Sequence, residues 1–82
     1  MKELSETVLL MNSPDWKDRM RAEYYQLEIR MSKLLDYINM IHHGKCKNTP
    51  KTPTSLLYQQ WKAMDEYRAI LKRRAEYEGV TL

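Results

Sequence analysis

Eight apolar residues between Trp16 and Ile41 constrain this chain more than any other feature. They are Trp16, Met20, Tyr24, Leu27, Met31, Leu34, Ile38 and Ile41, at successive spacings of 4, 4, 3, 4, 3, 4 and 3. That rhythm is the seam of an α-helix packed against another helix. The preceding "NSPDW" reads as a helix start: Ser13 suits the N-cap, Pro14 the first helical position, and Asp15 the positive end of the dipole. Gly44 is the natural stop, which gives a helix over 14–43. "GKCKNTPKT" follows as a loop over 44–52. Thr52 and Pro53 then repeat the start signal for a helix over 53–78 that stops at Gly79. Two long helices joined by a short connection fold back as an antiparallel hairpin. Residues 4–11 predict a short extra helix. The expected fold is all-α, a single helical domain over residues 1–82.

The second helix carries more apolar surface than one partner covers. Leu57, Trp61, Met64, Leu71 and Ala75 share one stripe, and Leu56, Ala63, Tyr67, Ile70 and Tyr77 form another beside it. The first helix has a weaker rear stripe of Ala22, Tyr25, Ile29 and Met40. A chain of 82 residues builds only a marginal core alone, and Leu, Ile, Val and Phe make up about a fifth of it. Self-association into an oligomeric bundle is therefore expected, with Ala22, Tyr25, Ile29, Met40, Ala63 and Ile70 as interface candidates. The plainer alternative is scattered exposed apolar side chains, which are ordinary on a surface. Cys46 is the only cysteine, which rules out an intrachain disulfide and fits a reducing cytoplasm. No secretory leader is visible, and no apolar run reaches the roughly 18 residues that a membrane span requires.

Few residues suggest chemistry. No nucleophile–base spacing and no Gly-rich phosphate loop is present, so no enzyme is expected. His42, His43 and Cys46 make a poor metal site, because adjacent histidines point apart. No cofactor is implied. The basic run near the end of the second helix is more informative. Gln60, Tyr67 and Arg74 are seven apart and stack along one edge of the apolar stripe, while Arg68 lies within it. Two readings stand. In one, Arg68 and Arg74 snorkel or pair with Asp15, Asp18, Glu23 or Glu28 across the hairpin. In the other they hold the phosphate of a small anionic nucleotide, with rings stacking on its base. An antiparallel hairpin brings Trp16, Arg19 and Tyr24 to the end that carries Tyr67, Arg68, Arg74 and Tyr77. With Gln60, these eight are the candidate ligand residues. The net charge of +3 and the mixed charges along each helix argue against duplex nucleic acid.

Two blocks, "EYYQLEIRMSKL" (Glu23 to Leu34) and "LLYQQWKAMDEYRAILKRRA" (Leu56 to Ala75), resemble a family of small helical proteins of tailed bacteriophages. That family includes proteins of crAss-like phages and of phages of Gram-positive hosts. Its pattern is E-Y-x-x-L-x-x-R-x-x-K-L, a variable loop, then L-L-x-x-Q-x-x-A-M-x-x-Y-x-x-I-L-x-x-R-A. Gln60, Ala63, Met64, Tyr67 and Arg74 form its distinctive part here. The likeness covers both long helices and implies a phage origin more than an activity. In size and shape the chain is also similar to the phage sponges that defeat the CBASS and Thoeris defences. Those are short helical oligomers that withhold cyclic oligonucleotide or cyclic ADP-ribose signals. That likeness carries no site residues. The expectation is a non-enzymatic counter-defence protein that sequesters a nucleotide-type signal. The alternatives are an inhibitor or adaptor docking on a host protein, such as a defence protein, and a structural phage oligomer.

Overall fold

The heptad seam and the two Gly stops fold as the sequence predicts, into a pair of long antiparallel helices. The computed structural model describes residues 3–45 and 50–82. A 3-10 turn, Leu4–Thr7, runs straight into the one-turn helix α1 (Val8–Met11). The long helices are α2 (Trp16–His42) and α3 (Thr54–Glu78). No strand occurs among the described residues. Cys46 and Lys47, part of the expected connecting loop, lie outside them.

Both helix starts differ from expectation by a residue or two. The N-cap of α2 is Asp15, whose Oδ1 accepts from the Lys17 N–H at 3.0 Å. Ser13 is bound elsewhere: its hydroxyl donates to Asp18 Oδ2 at 2.9 Å and accepts the Asp15 N–H at 3.1 Å. An ionised carboxylate placed nearer the free N–H groups is the stronger acceptor, so Asp15 takes the cap. At α3 the cap position falls to Pro53, with no side-chain cap bond.

Both helix ends follow the glycines. Gly44 and Gly79 sit at φ of 67° and 69°, a region that costs an L side chain strain. In each case the turn bonds back to the last helical carbonyls. Lys45 N–H donates to Met40 O at 2.9 Å, and Val80 N–H to Ala75 O at 2.8 Å.

Packing runs in three layers, with α2 in the middle. On one side α3 packs along the seam. Leu27, Met31 and Leu71 form its centre, flanked by half-buried Tyr24, Trp61 and Met64. At the end where α2 begins, Met20, Ala75 and Val80 form a second small core, joined by Leu82. Arg21 ties this end down by donating Nε–H to Thr81 O at 2.8 Å. On its other side α2 carries the N-terminal segment, which touches α2 but not α3. Thr7 is fully buried there; its hydroxyl donates to Leu4 O at 2.6 Å and accepts from Gln26 Nε2 at 2.9 Å. Gln26 also donates to the Met11 sulfur.

That segment changes the reading of the rear stripe. Ala22 and Ile29 share the Gln26 face and are 1% and 2% exposed, so both are already buried within the single chain. Tyr25 is half-buried and Met40 exposed. On α3 the second stripe stays open, with Ala63 and Ile70 both exposed. The structure measures 43 × 24 × 18 Å, with a radius of gyration of 15.1 Å. A ball of this chain length would have about 12 Å, so the protein is a slab with large open faces.

Candidate functional site

Where the seam of α2 meets α3 off-centre, a groove of about 240 Å³ opens along one edge of the hairpin. It is lined by Glu28, Met31, Ser32 and Leu35 of α2 and by Trp61 and Arg68 of α3. The helical repeat explains the set. Glu28, Ser32 and Leu35 are spaced 4 and 3 on one side of α2, and Trp61 and Arg68 are seven apart on α3. Antiparallel pairing brings those two edges together.

The charges in the groove are paired within the chain. Arg68 donates Nη2–H to Asp65 Oδ1 at 2.7 Å and faces Glu28 Oε2 at 3.9 Å across the hairpin. Both pairs are more than a third exposed, so water screens them and they position the guanidinium more than they stabilise the fold. Of the two readings of Arg68, pairing with carboxylates of its own chain is the one seen, with Glu28 as the cross-hairpin partner. Arg74 is exposed and has no ion-pair or hydrogen-bond partner among the described residues.

One group beside the groove is unusual. Trp61 Nε1 is buried and has no hydrogen-bond acceptor among the described residues. A buried donor left unpaired costs about 1–3 kcal/mol, and buried tryptophans normally find a partner. Beside it stand a hydroxyl, a carboxylate and a guanidinium, with Met31 and Leu35 as apolar lining. The arrangement offers donors and acceptors to a flat polar ligand and holds no nucleophile–base pair. Burial pushes the neighbouring Tyr24 hydroxyl above its ordinary pKa. The Glu28 charge adds to that rise and the Arg68 charge opposes it. Tyr24 packs edge-on against Tyr25, with ring centroids 6.0 Å apart.

Of the eight residues named from sequence, only Arg68 lines this groove. Tyr24 neighbours it through the Leu27–Met31–Leu71 core. The others do not converge. Trp16 is exposed with the Lys17 ammonium over its ring at 6.0 Å, and Arg19 donates to Ser13 O at 2.9 Å. Tyr77 is 86% exposed and borders a separate depression with Arg73 and Glu76. Gln60 and Tyr67 lie on the outer surface of α3. Trp61 and Ser32 were missed because spacing assigns Trp61 to the core stripe and leaves Ser32 as a polar flank. The signal available was the indole itself, whose N–H needs a partner wherever its ring is buried.

His42 and His43 hold no metal geometry. Their rings meet edge-on at 6.3 Å, and His43 Nδ1 is 2.7 Å from Asn39 O. Among the described residues no group of three or more His, Cys, Asp or Glu side chains could hold a metal ion. No helix among them is long and apolar enough to cross a membrane.

No curated protein and no solved structure matches the chain. A family model does: the one described as Sequestin, over residues 14–77. The match takes in all of α2, the connection and α3 up to Tyr77, hence all but the last residue of the hairpin and every residue of the groove. The chain belongs to the Sequestin family.

Proposed function

We propose that this protein is a non-catalytic phage counter-defence protein that binds and withholds a nucleotide-type signal in the host cytoplasm. The family name suggests the sequestering of a molecule, and the paired blocks on α2 and α3 resemble phage proteins. The observation that carries the site is the unpartnered Trp61 Nε1–H beside Arg68, Glu28 and Ser32. A nucleobase supplies what that site lacks. Its ring and exocyclic N–H groups donate to Glu28, and its carbonyl or ring nitrogen accepts from the indole N–H once a small side-chain shift uncovers that buried group. Its faces lie on Met31 and Leu35. Arg68, already oriented by Asp65 and Glu28, reaches a phosphate oxygen. The groove is smaller than the 300–1,000 Å³ usual for a drug-sized ligand, so it fits one nucleoside portion of a cyclic molecule.

Thermal unfolding with cyclic dinucleotides, cyclic trinucleotides and cyclic ADP-ribose isomers tests this. A ligand at a hundred times its Kd stabilises the folded chain by about 2.7 kcal/mol. Trp61→Phe is the informative variant. Removing the unpaired donor offsets part of the packing lost with the smaller ring against the Leu27–Met31–Leu71 core, so the ligand-free chain stays folded, while binding weakens at least tenfold. No stabilisation by any of these compounds at millimolar concentration defeats the reading.

A second reading has its own observation. Val8, Leu9 and Met11 of α1 are 47%, 85% and 48% exposed on one short helix, an anchor suited to a host protein. Recovery of a single stoichiometric host protein, lost with Leu9→Glu, favours it over the nucleotide.

A further inference from the structure

The outer surface of α3 carries a second complete heptad seam. Leu56, Ala63, Ile70 and Tyr77 fall seven apart, and Gln60, Tyr67 and Arg74 fall between them, so the spacings alternate 4 and 3 along the whole helix. All seven are exposed; Leu56, Tyr67, Ile70 and Tyr77 are 51%, 42%, 53% and 86% open. The seam lies one residue away from the stripe that packs on α2 (Leu57, Trp61, Met64, Arg68, Leu71 and Ala75). A helix with two adjacent seams has the pattern of a member of a four-helix bundle.

We infer that this seam pairs antiparallel with the same seam of a second copy, so that two hairpins close into a four-helix bundle through α3. Side-chain size and charge select both the occupant and the direction. In the antiparallel register Tyr67 lies against the partner's Ile70, Gln60 against the partner's Tyr77, and Ala63 against the partner's Arg74. Every layer then sets a long side chain against a shorter one, and the Tyr77 hydroxyl meets an amide. Glu66, flanking the seam, comes within about 3 Å along the axis of the partner's Arg73, twice by symmetry. The partner's Arg74 is left beside Glu66 too. The parallel register places identical residues opposite each other. It sets Arg74 on Arg74 and Ala63 on Ala63, with a like-charge clash in one layer and a void in another. The seam is thus complementary to itself, in one direction. The inference stands apart from the groove, whose lining does not include any seam residue.

Light scattering and disulfide trapping test it. The intact chain is expected at twice its 9.9 kDa mass, and Ile70→Glu at the single mass. Leu9→Glu, on the exposed α1, is expected to stay double. Direction is read in a Cys46→Ser background. Gln60→Cys combined with Tyr77→Cys is expected to give an oxidised covalent dimer. Tyr77→Cys alone is not, because antiparallel pairing holds the two copies of position 77 about 25 Å apart. Glu66→Arg and Arg73→Glu are each expected to weaken the dimer roughly tenfold, and the double exchange to restore it. A 9.9 kDa species at several hundred micromolar overturns the proposal, as does a dimer broken by Leu9→Glu but not by Ile70→Glu. Efficient trapping by Tyr77→Cys alone overturns the antiparallel register. None of these readouts involves a nucleotide, so their failure is distinct from failure of the sequestering function.

Discussion

The two long helices have nearly the same length and the same kind of apolar rhythm, yet they are buried very differently. Six residues of α2 are buried, namely Met20, Ala22, Leu27, Ile29, Met31 and Ile38, against only Leu71 and Ala75 of α3. The difference lies in the neighbours. α2 is covered by α3 on its seam and by the N-terminal segment on its rear, whereas α3 meets α2 alone. Amphipathic patterning marks the faces that want cover; which of them receive it within one chain depends on where the short elements land. α2 is the interior of this protein and α3 its outward-facing surface.

A matched pair of isoleucines tests that contrast most strongly. Ile29→Ala removes a side chain that is 2% exposed and is expected to lower stability by about 2–4 kcal/mol in urea unfolding. Ile70→Ala, at a site 53% exposed, is expected to change the stability of dilute, dissociated protein by less than about 0.5 kcal/mol. Equal losses would erase the distinction between the helices.

Thr7→Val asks whether the N-terminal segment is a true second cover for α2. The variant keeps the shape but strips Gln26 of its hydroxyl partner and frees the Leu4 carbonyl. A loss of about 1–2 kcal/mol is expected. An unchanged midpoint would show that the segment contributes little at Thr7.

Gly79→Ala probes the end of α3. Nothing crowds the site, so the effect is backbone strain at φ 69°, expected at about 1 kcal/mol. Its loss would be felt where Val80 packs on Met20 and Ala75.

The smallest effect is on pH dependence at the interface of the two helices. Tyr24 keeps its proton to higher pH in the folded chain than the ordinary value of 10.0, chiefly through burial. Its contribution to stability is full below pH 10 and is lost as pH rises through the folded value. Tyr24→Phe should therefore flatten the alkaline fall in unfolding midpoints above pH 10. A slope identical to that of the unsubstituted chain would remove Tyr24 from that account.

Much of the fold was legible in advance because its signals are local. The 4–3 spacing of Trp16 to Ile41 calls for a helix whatever surrounds it, and Gly44 and Gly79 mark ends that only a left-handed residue makes easily. The caps were less legible. Ser13, Asp15 and Asp18 compete within six residues, and the winner depends on distances of tenths of an ångström. The site was legible only in Arg68. Spacing along a helix separates inward from outward positions, but it does not say which edge of one helix meets which edge of the other. Trp16, Gln60, Tyr67, Arg74 and Tyr77 were drawn together by being near one end or one stripe, and the hairpin leaves them on separate surfaces.

The sequence by itself determined two helices, their ends, their antiparallel pairing, and the excess of apolar surface on both. Those follow from periodicity and from the backbone needs of Gly and Pro, which act over a few residues at a time. Only the tertiary structure decided that the N-terminal segment lies on the Gln26 side of α2 and that Ala22 and Ile29 are buried while Ile70 stays bare. It alone brought Glu28 and Ser32 beside Trp61 and left an indole N–H without an acceptor. Those outcomes rest on contacts between elements far apart in the chain, where the rotation of each helix about its own axis sets which side chains meet.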